Sequence, residues 1–406
     1  MKILLYSLIF APDVCSNAYV FSDMAREMKR QGHDVSVITT TPHYDEATSA
    51  QKKEALSFGK KSWYRMSNYN GIPVFHINVA PRKGGIKQRL ETFYKFHKYA
   101  PKIIKEEQLH ADVVIAQTPP MTVGLVCKKM ARMMNAKSLL ILQDLWLDAM
   151  VNRGKIKGLI KGVLEKIERY EYRQIDAVST ISDVMADKVK PKVKDTKKIH
   201  VIPNFVDTSI YHPIEVDNDI RAQYGLSEHD FVISYVGNIG NAQDLTPLIE
   251  CAKAQPDIKV LIAGNGVKEH EFREKAKGVS NVKFLGFVPR EETLLINAVS
   301  NVCMVMLASH VVATSFPSKT YTIMAMAKPI VITCGEGSAA GTFIEENKIG
   351  WAINSDDIEG FNRLISHLST NREVLKEYGE NAFNVIQKGY SEKVVVEQYS
   401  DLIKTI

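Results

Sequence analysis

Residues 317–319, Pro-Ser-Lys, and two glycine turns upstream are where residue type and spacing could do chemistry. Pro317 and Ser318 read as a helix entrance with Ser318 as its cap, and Lys319 falls in the first turn of a helix predicted to run through Met324 to Ala327. Open N–H groups at a helix start carry partial positive charge and a lysine adds a full one, so this point suits an anion such as a phosphate. Two turns share that character: Gly237, Asn238 and Gly240 in "YVGNIGNAQD", and Gly264, Asn265 and Gly266 in "IAGNGVKE". Glycine lets a backbone approach a phosphate and aim its amides at it. Neither turn has the G-x-G-x-x-G or P-loop pattern, so each taken alone is equally well an ordinary turn.

The elements that must position these residues repeat one unit. "MKILLYSLIF" reads as a strand, a stripe of Val20, Phe21, Met24, Ala25 and Met28 reads as a helix closed by Gly32, and "HDVSVITT" reads as the next strand. Apolar strands recur at "ADVVIAQT", "KSLLILQD", "DAVSTIS" and "IHVIPN". The rhythm restarts with "FVISYVGNIG", "KVLIAGNG", "NVKFLGFV", "VCMVML" and "PIVITCG". Near-continuous Val/Ile/Leu strands alternating with helices predict an α/β protein of two doubly wound, parallel-sheet, Rossmann-like domains, covered on both faces. The boundaries are expected at 1–203 and 204–389, joined near "IPNFVDTSIYHP", with a last helix at about 390–406 that could pack back on the first domain. In such sheets ligands sit beyond the carboxyl ends of the strands, where all three candidate turns lie.

At 406 residues, 45% hydrophobic and 24% charged, the chain has the composition of an ordinary globular protein. The net charge of +6 conceals an asymmetry, about +14 over residues 1–200 and −8 over 201–406. The basic half suits anionic lipid or a phosphorylated substrate, while nucleic acid is not expected, since no recognised nucleic-acid motif accompanies the charge. Segments 82–105 and 153–173 interleave basic with aromatic and aliphatic residues, a pattern for reversible docking on an anionic leaflet or simply for an exposed helix face. Five scattered cysteines without metal spacing read as reduced and mostly buried, which suits the cytoplasm. The apolar start reads as a buried strand rather than a signal peptide, and no run is long enough to span a membrane.

The order "YVGNIGNAQDL", "VLIAGNGVKEHEFREKA", "NVKFLGFVPREE", "FPSKTYTIMAMAKPIV" and "GTFIEENKIGWAI" resembles the carboxyl-terminal half of the GT4 glycosyltransferases of GT-B fold. Upstream, "FAPDVCSNAYVFSDMAREMKRQGHDVSVITT", "LQDLWLDAM", "AVSTISD" and "VIPNFVD" are similar to the amino-terminal half. The likeness spans nearly the whole chain and is strongest to the bacterial branch that builds O-antigen and capsule. It implies a retaining transfer of a sugar from a nucleotide-sugar donor, UDP-linked by preference and with an N-acetylated sugar among the options, to a lipid-diphosphate-linked saccharide at the inner face of the cytoplasmic membrane. By it, Gly237, Asn238 and Gly240 lie beside the donor's diphosphate, Ser318 and Lys319 hold that diphosphate, and Phe287 and Val288 lie near the nucleobase; Gly264 and Gly266 join them as donor-binding candidates from the character of their turn. Lys319 would stabilise charge growing on the leaving group. No cofactor or metal is expected at these turns.

The sequence departs from the family pattern at two glutamates, replaced by Thr314 and Thr322, and at a glycine replaced by Ala327. Thr322 would meet the donor ribose with one hydrogen bond rather than a bidentate carboxylate grip. On the acceptor side, Asp144 and His43 each follow a predicted strand. Asp144 could orient a hydroxyl or steady an oxocarbenium-like centre, or simply cap the next helix, and His43 could reach the cleft or be structural. Two alternatives remain: a nucleotide-sugar-binding relative without transfer, and a nucleotide-sugar epimerase of the same fold.

Overall fold

The computed structural model describes residues 1–44, 46–81, 85–152, 154–309 and 317–406. The chain divides into two compact units, Met1–Asn204 with Glu392–Ile406, and Phe205–Ser391. The first is built on β1 (Lys2–Tyr6), β2 (Asp34–Thr40), β3 (Ser57–Phe58), β4 (Tyr64–Tyr69), β5 (Ile72–Ile77), β6 (Val113–Gln117), β7 (Lys137–Leu142), β8 (Ala177–Thr180) and β9 (Ile199–Val201). Their spatial order is β3-β4-β5-β2-β1-β6-β7-β8-β9, parallel except for the β3-β4 and β4-β5 pairs. The second unit holds β10 (Phe231–Val236), β11 (Ile258–Ala263), β12 (Val282–Gly286), β13 (Val302–Met306), β14 (Ile330–Cys334) and β15 (Gly350–Asn354), in the order β12-β11-β10-β13-β14-β15 and parallel throughout.

Central strands such as β6 and β13 are buried at every position, as expected where helices cover both faces of a sheet. The helix Ser16–Arg30 follows β1 because Phe21, Met24, Ala25 and Met28 recur on one face and are buried there. It ends as the Gly32 amide donates to the Lys29 carbonyl and the His33 amide to that of Met28, with Gly32 at φ +86°. The terminal helix Glu392–Thr405 lies in the first unit, where the Ser400 hydroxyl meets His33 Nε2 at 3.1 Å and the Tyr399 hydroxyl meets that of Ser179 at 3.2 Å. The antiparallel edge β3–β5 is an addition to the expected pattern, its hairpin turned by Asn70 and Gly71, both at positive φ.

Strand order reverses direction of growth at β1/β6 in one sheet and at β10/β13 in the other. Such switch points open a crevice at the carboxyl ends of the strands, so each unit has one place built for a ligand. The five cysteines are free thiols, four of them buried. Among the described residues no helix is long and apolar enough to cross a membrane.

Candidate active site

At the β10/β13 switch point the chain leaves β10 through Gly237, Asn238, Ile239 and Gly240. This turn is laced to its neighbours: the Gly237 amide donates to the Ala263 carbonyl at 2.9 Å, that of Ile239 to the Asn265 carbonyl at 2.8 Å, and that of Gly264 to the Gly286 carbonyl at 2.6 Å. The Gly240 amide donates to the Gln243 side chain at 3.1 Å. A Cβ on Gly264 would fall 1.9 Å from the Gly237 carbonyl oxygen, and one on Gly266 2.3 Å from that of Ile239. This corrects the expectation that the turns aim their amides at a phosphate. At Gly237, Gly240 and Gly264 those amides are engaged within the loops, and Gly264 and Gly266 are glycines because two backbones touch there.

The positive charge comes from the helix Ser318–Ala325. Pro317, not Ser318, occupies its N-cap position, without a side-chain cap hydrogen bond, so Ser318 is the first helical residue and the predicted cap is corrected by one position. The proline presets the backbone torsion and has no amide to leave unsatisfied. Lys319 then projects over β10, with Nζ 3.8 Å from the centre of the Tyr235 ring. It lies so close to the turn that a Cβ on Gly237 would stand 2.7 Å from Nζ. No carboxylate pairs with Lys319 among the described residues, and burial pushes its ammonium down to about 7. A half-buried cation without a carboxylate partner among the described residues, at the positive end of a helix, is suited to an incoming anion.

Thr322 stands one turn along the same helix, three residues from Lys319 and half-buried. Asn238 is exposed, and its carbonyl accepts from the Tyr235 hydroxyl at 2.5 Å. After β12, Phe287 is exposed while Val288 packs against the buried cluster around Leu261 and Ala263. Thr314 lies outside the described residues. The one Asp-x-Asp triplet in the sequence, Asp217 to Asp219, opens a helix: the Asp217 carboxylate caps Asn218–Gln223 by accepting from the Ile220 amide at 2.8 Å.

The first unit has its own hollow of about 310 Å³ at the β1/β6 switch point. Ile9 after β1, His43 after β2, Pro119 after β6 and Asp144 after β7 line it, with Cys15, Ser16 and Asn17 at the start of the helix Ser16–Arg30 and Arg89 from the helix Ile86–Glu106. The structure thus brings His43 and Asp144 to one cavity. Burial holds the Asp144 carboxyl above the usual carboxylate range, opposed by a hydrogen bond with the Thr118 hydroxyl. Asp13 orients His43: its Oδ2 accepts from the His43 and Tyr44 amides, each at 3.0 Å, and stands 3.7 Å from His43 Nδ1. Neither Asp13 nor Tyr235 was singled out by sequence, since one reads as a turn former and the other as core.

Two helices of this unit carry exposed apolar stripes among lysines. On Ile86–Glu106 these are Ile86 (79% exposed), Leu90 and Tyr94, and on Gly158–Gln174 they are Leu159 (84% exposed), Ile160 and Val163.

Two sheets of this order, each with a strand-end site at its switch point, define a two-domain α/β enzyme of the GT-B class. Residues 216–385 match the family described as glycosyl transferases group 1, and residues 17–204 match the glycosyl transferase 4-like domain. The chain belongs to the GT4 family of GT-B glycosyltransferases. It is 24% identical over 401 residues to Escherichia coli (strain K12) WcaI, named a colanic acid biosynthesis glycosyl transferase, covering 95% of this chain and 97% of that one. In fold it is similar to sucrose-phosphate synthase of Thermosynechococcus elongatus (TM-score 0.75, 15% identity, 100% of this chain and 98% of that one). It is also similar to Anabaena HepE in complex with UDP-glucose (TM-score 0.71, 15% identity, 100% of both chains).

Proposed function

We propose that this glycosyltransferase moves a sugar, with retention of configuration, from a UDP-sugar to a lipid-diphosphate-linked saccharide in bacterial surface-polysaccharide biosynthesis. The observation that carries the reading is Lys319, an ammonium without a carboxylate partner among the described residues, set against the Gly237 turn at a switch point. The name of WcaI supports the polysaccharide context, and the UDP-glucose in the HepE complex supports the donor class.

On this reading the second unit binds the donor. Ser318 and Lys319 hold the diphosphate, Phe287 and Val288 border the base, and Thr322 meets the ribose. As the glycosidic bond breaks, charge accumulates on the diphosphate, and the contact with Lys319 strengthens with it. A charge-assisted hydrogen bond contributes about 1.5–3 kcal/mol and the helix start up to about 2, enough to perform this task without a metal. The acceptor enters the hollow of the first unit, where Asp144 and His43 orient its hydroxyl, and the departing phosphate takes the hydroxyl proton. The apolar and basic stripes on the helices 86–106 and 158–174 rest on the anionic inner leaflet, each basic residue near it contributing about 1 kcal/mol.

A thermal-shift panel of UDP, GDP, ADP and their sugars tests the donor. Stabilisation by UDP species, followed by UDP release that needs a lipid-linked acceptor, is expected. Stabilisation by none of them contradicts the reading. Thr322, where a carboxylate would grip the ribose, favours a second reading, a donor-binding protein without transfer; donor binding with no release under any acceptor would establish it.

A further inference from the structure

We propose that Tyr235 is the positioning residue of the anion site, its ring face holding the Lys319 ammonium and its hydroxyl holding the adjoining turn. The proposal rests on the reading of Lys319 as the diphosphate ligand. Tyr235 is fully buried near the end of β10, its neighbours in the strand being core residues. Its two contacts point to different elements. The ring carries Lys319 Nζ at 3.8 Å, and the hydroxyl donates to the Asn238 carbonyl at 2.5 Å. One side chain therefore ties the start of the helix Ser318–Ala325 to the Gly237–Asn238 turn, so both halves of the site are set by a single rigid ring.

The choice of an aromatic face has an electrostatic reason. A carboxylate would fix a lysine equally well, but it would cancel the charge that an incoming anion needs. A ring quadrupole attracts the ammonium and leaves its net charge intact. The missing Cβ at Gly237 gives Nζ room over the ring, since a methyl group there would stand 2.7 Å from it. The buried phenol remains protonated, because burial raises its ionisation well above the ordinary range, so the hydroxyl stays a donor to Asn238 at any working pH.

The test is a double-mutant cycle on the full chain, with inorganic pyrophosphate and UDP titrated into wild type, Tyr235→Leu, Lys319→Ala and the double variant. Tyr235→Leu should weaken pyrophosphate binding on the order of tenfold in the wild-type background and hardly at all once Lys319 is gone. Tyr235→Phe, which keeps the face, should retain most of the coupling to Lys319. A Tyr235→Leu effect of equal size in both backgrounds, or none in either, overturns the positioning role. If Lys319→Ala itself leaves pyrophosphate and UDP binding unchanged, the reading of the anion site fails instead. Should Tyr235→Leu lose its cooperative melt, the wild-type protein decides the matter by lysine-selective labelling and NMR. Ring-current-shifted Lys319 Hε protons that stay shifted on adding pyrophosphate support the role, and unshifted ones overturn it.

Discussion

A Cβ on Gly237 would stand 2.7 Å from the Nζ of Lys319, two residues 82 positions apart in sequence. The glycine keeps open the space that the ammonium fills. Gly237→Ala should displace Lys319 and strain a backbone at φ +143°, weakening UDP binding about tenfold or more while unit-wide folding survives. Calorimetric titration with UDP checks this, and unchanged affinity would separate the turn from the site.

Donor binding should depend on pH through Lys319. Its ammonium titrates at about 7 in the free protein, and a bound anion raises that value, so binding takes up a proton between the two. Affinity for a UDP-sugar, whose diphosphate has no titration in this range, should be level below pH 6 and fall as pH rises above 7. Calorimetry in two buffers of different ionisation enthalpy should register proton uptake at pH 8. Lys319→Arg, charged throughout, should abolish it.

Ala327 repeats the helix ending made by Gly32. Its amide donates to the Met324 carbonyl at 3.0 Å and the Lys328 amide donates to that of Ile323 at 3.3 Å, with Ala327 at φ +53°. A left-handed alanine costs about 1–2 kcal/mol, partly offset by the freedom glycine has when unfolded. Ala327→Gly should therefore stabilise the chain by about 0.5–1 kcal/mol in urea denaturation. The converse Gly32→Ala, where a Cβ meets nothing within 4 Å, should destabilise by a similar amount through torsion alone.

Asp144→Asn and His43→Ala should each lower turnover with a lipid-linked acceptor by about a hundredfold or less, leaving UDP affinity within twofold. A loss of donor binding in either variant would remove these residues from the acceptor side. Asp13→Asn should act in the same direction as His43→Ala but more weakly, because it reaches the substrate only through His43.

Replacing Leu159, Ile160 and Val163 with serine should reduce co-sedimentation with vesicles containing phosphatidylglycerol, since three exposed apolar side chains on one helical turn lose their burial in the interface. Undiminished binding would place the docking surface elsewhere.

The alternation of β-branched strands with amphipathic helices was legible because a sheet covered on both faces leaves no polar alternation to mislead. The edge β3–β5 escaped because β3 has only two residues, β4 (YRMSNY) is half-polar and β5 carries a proline that reads as a strand breaker, although Asn70-Gly71 is a hairpin signal. The Pro-Ser-Lys segment announced a helix entrance and a cation, but not the position of the cap, which depends on whether proline or serine leaves the helical torsions first. The glycine turns were read for their open amides. What they do is bring two backbones together, a relation between residues 27 positions apart that spacing in sequence does not contain. Tyr235 and Asp13 act through other side chains, so nothing in their own neighbourhoods marked them.

The central claim is that Lys319 and the start of its helix receive the donor diphosphate beside Gly237. A crystal structure of the chain with UDP tests it most directly. The account predicts a phosphate oxygen within hydrogen-bond reach of Lys319 Nζ, with the ring of Tyr235 still beneath it. UDP bound with its phosphates away from Lys319 and the 237–240 turn would contradict it.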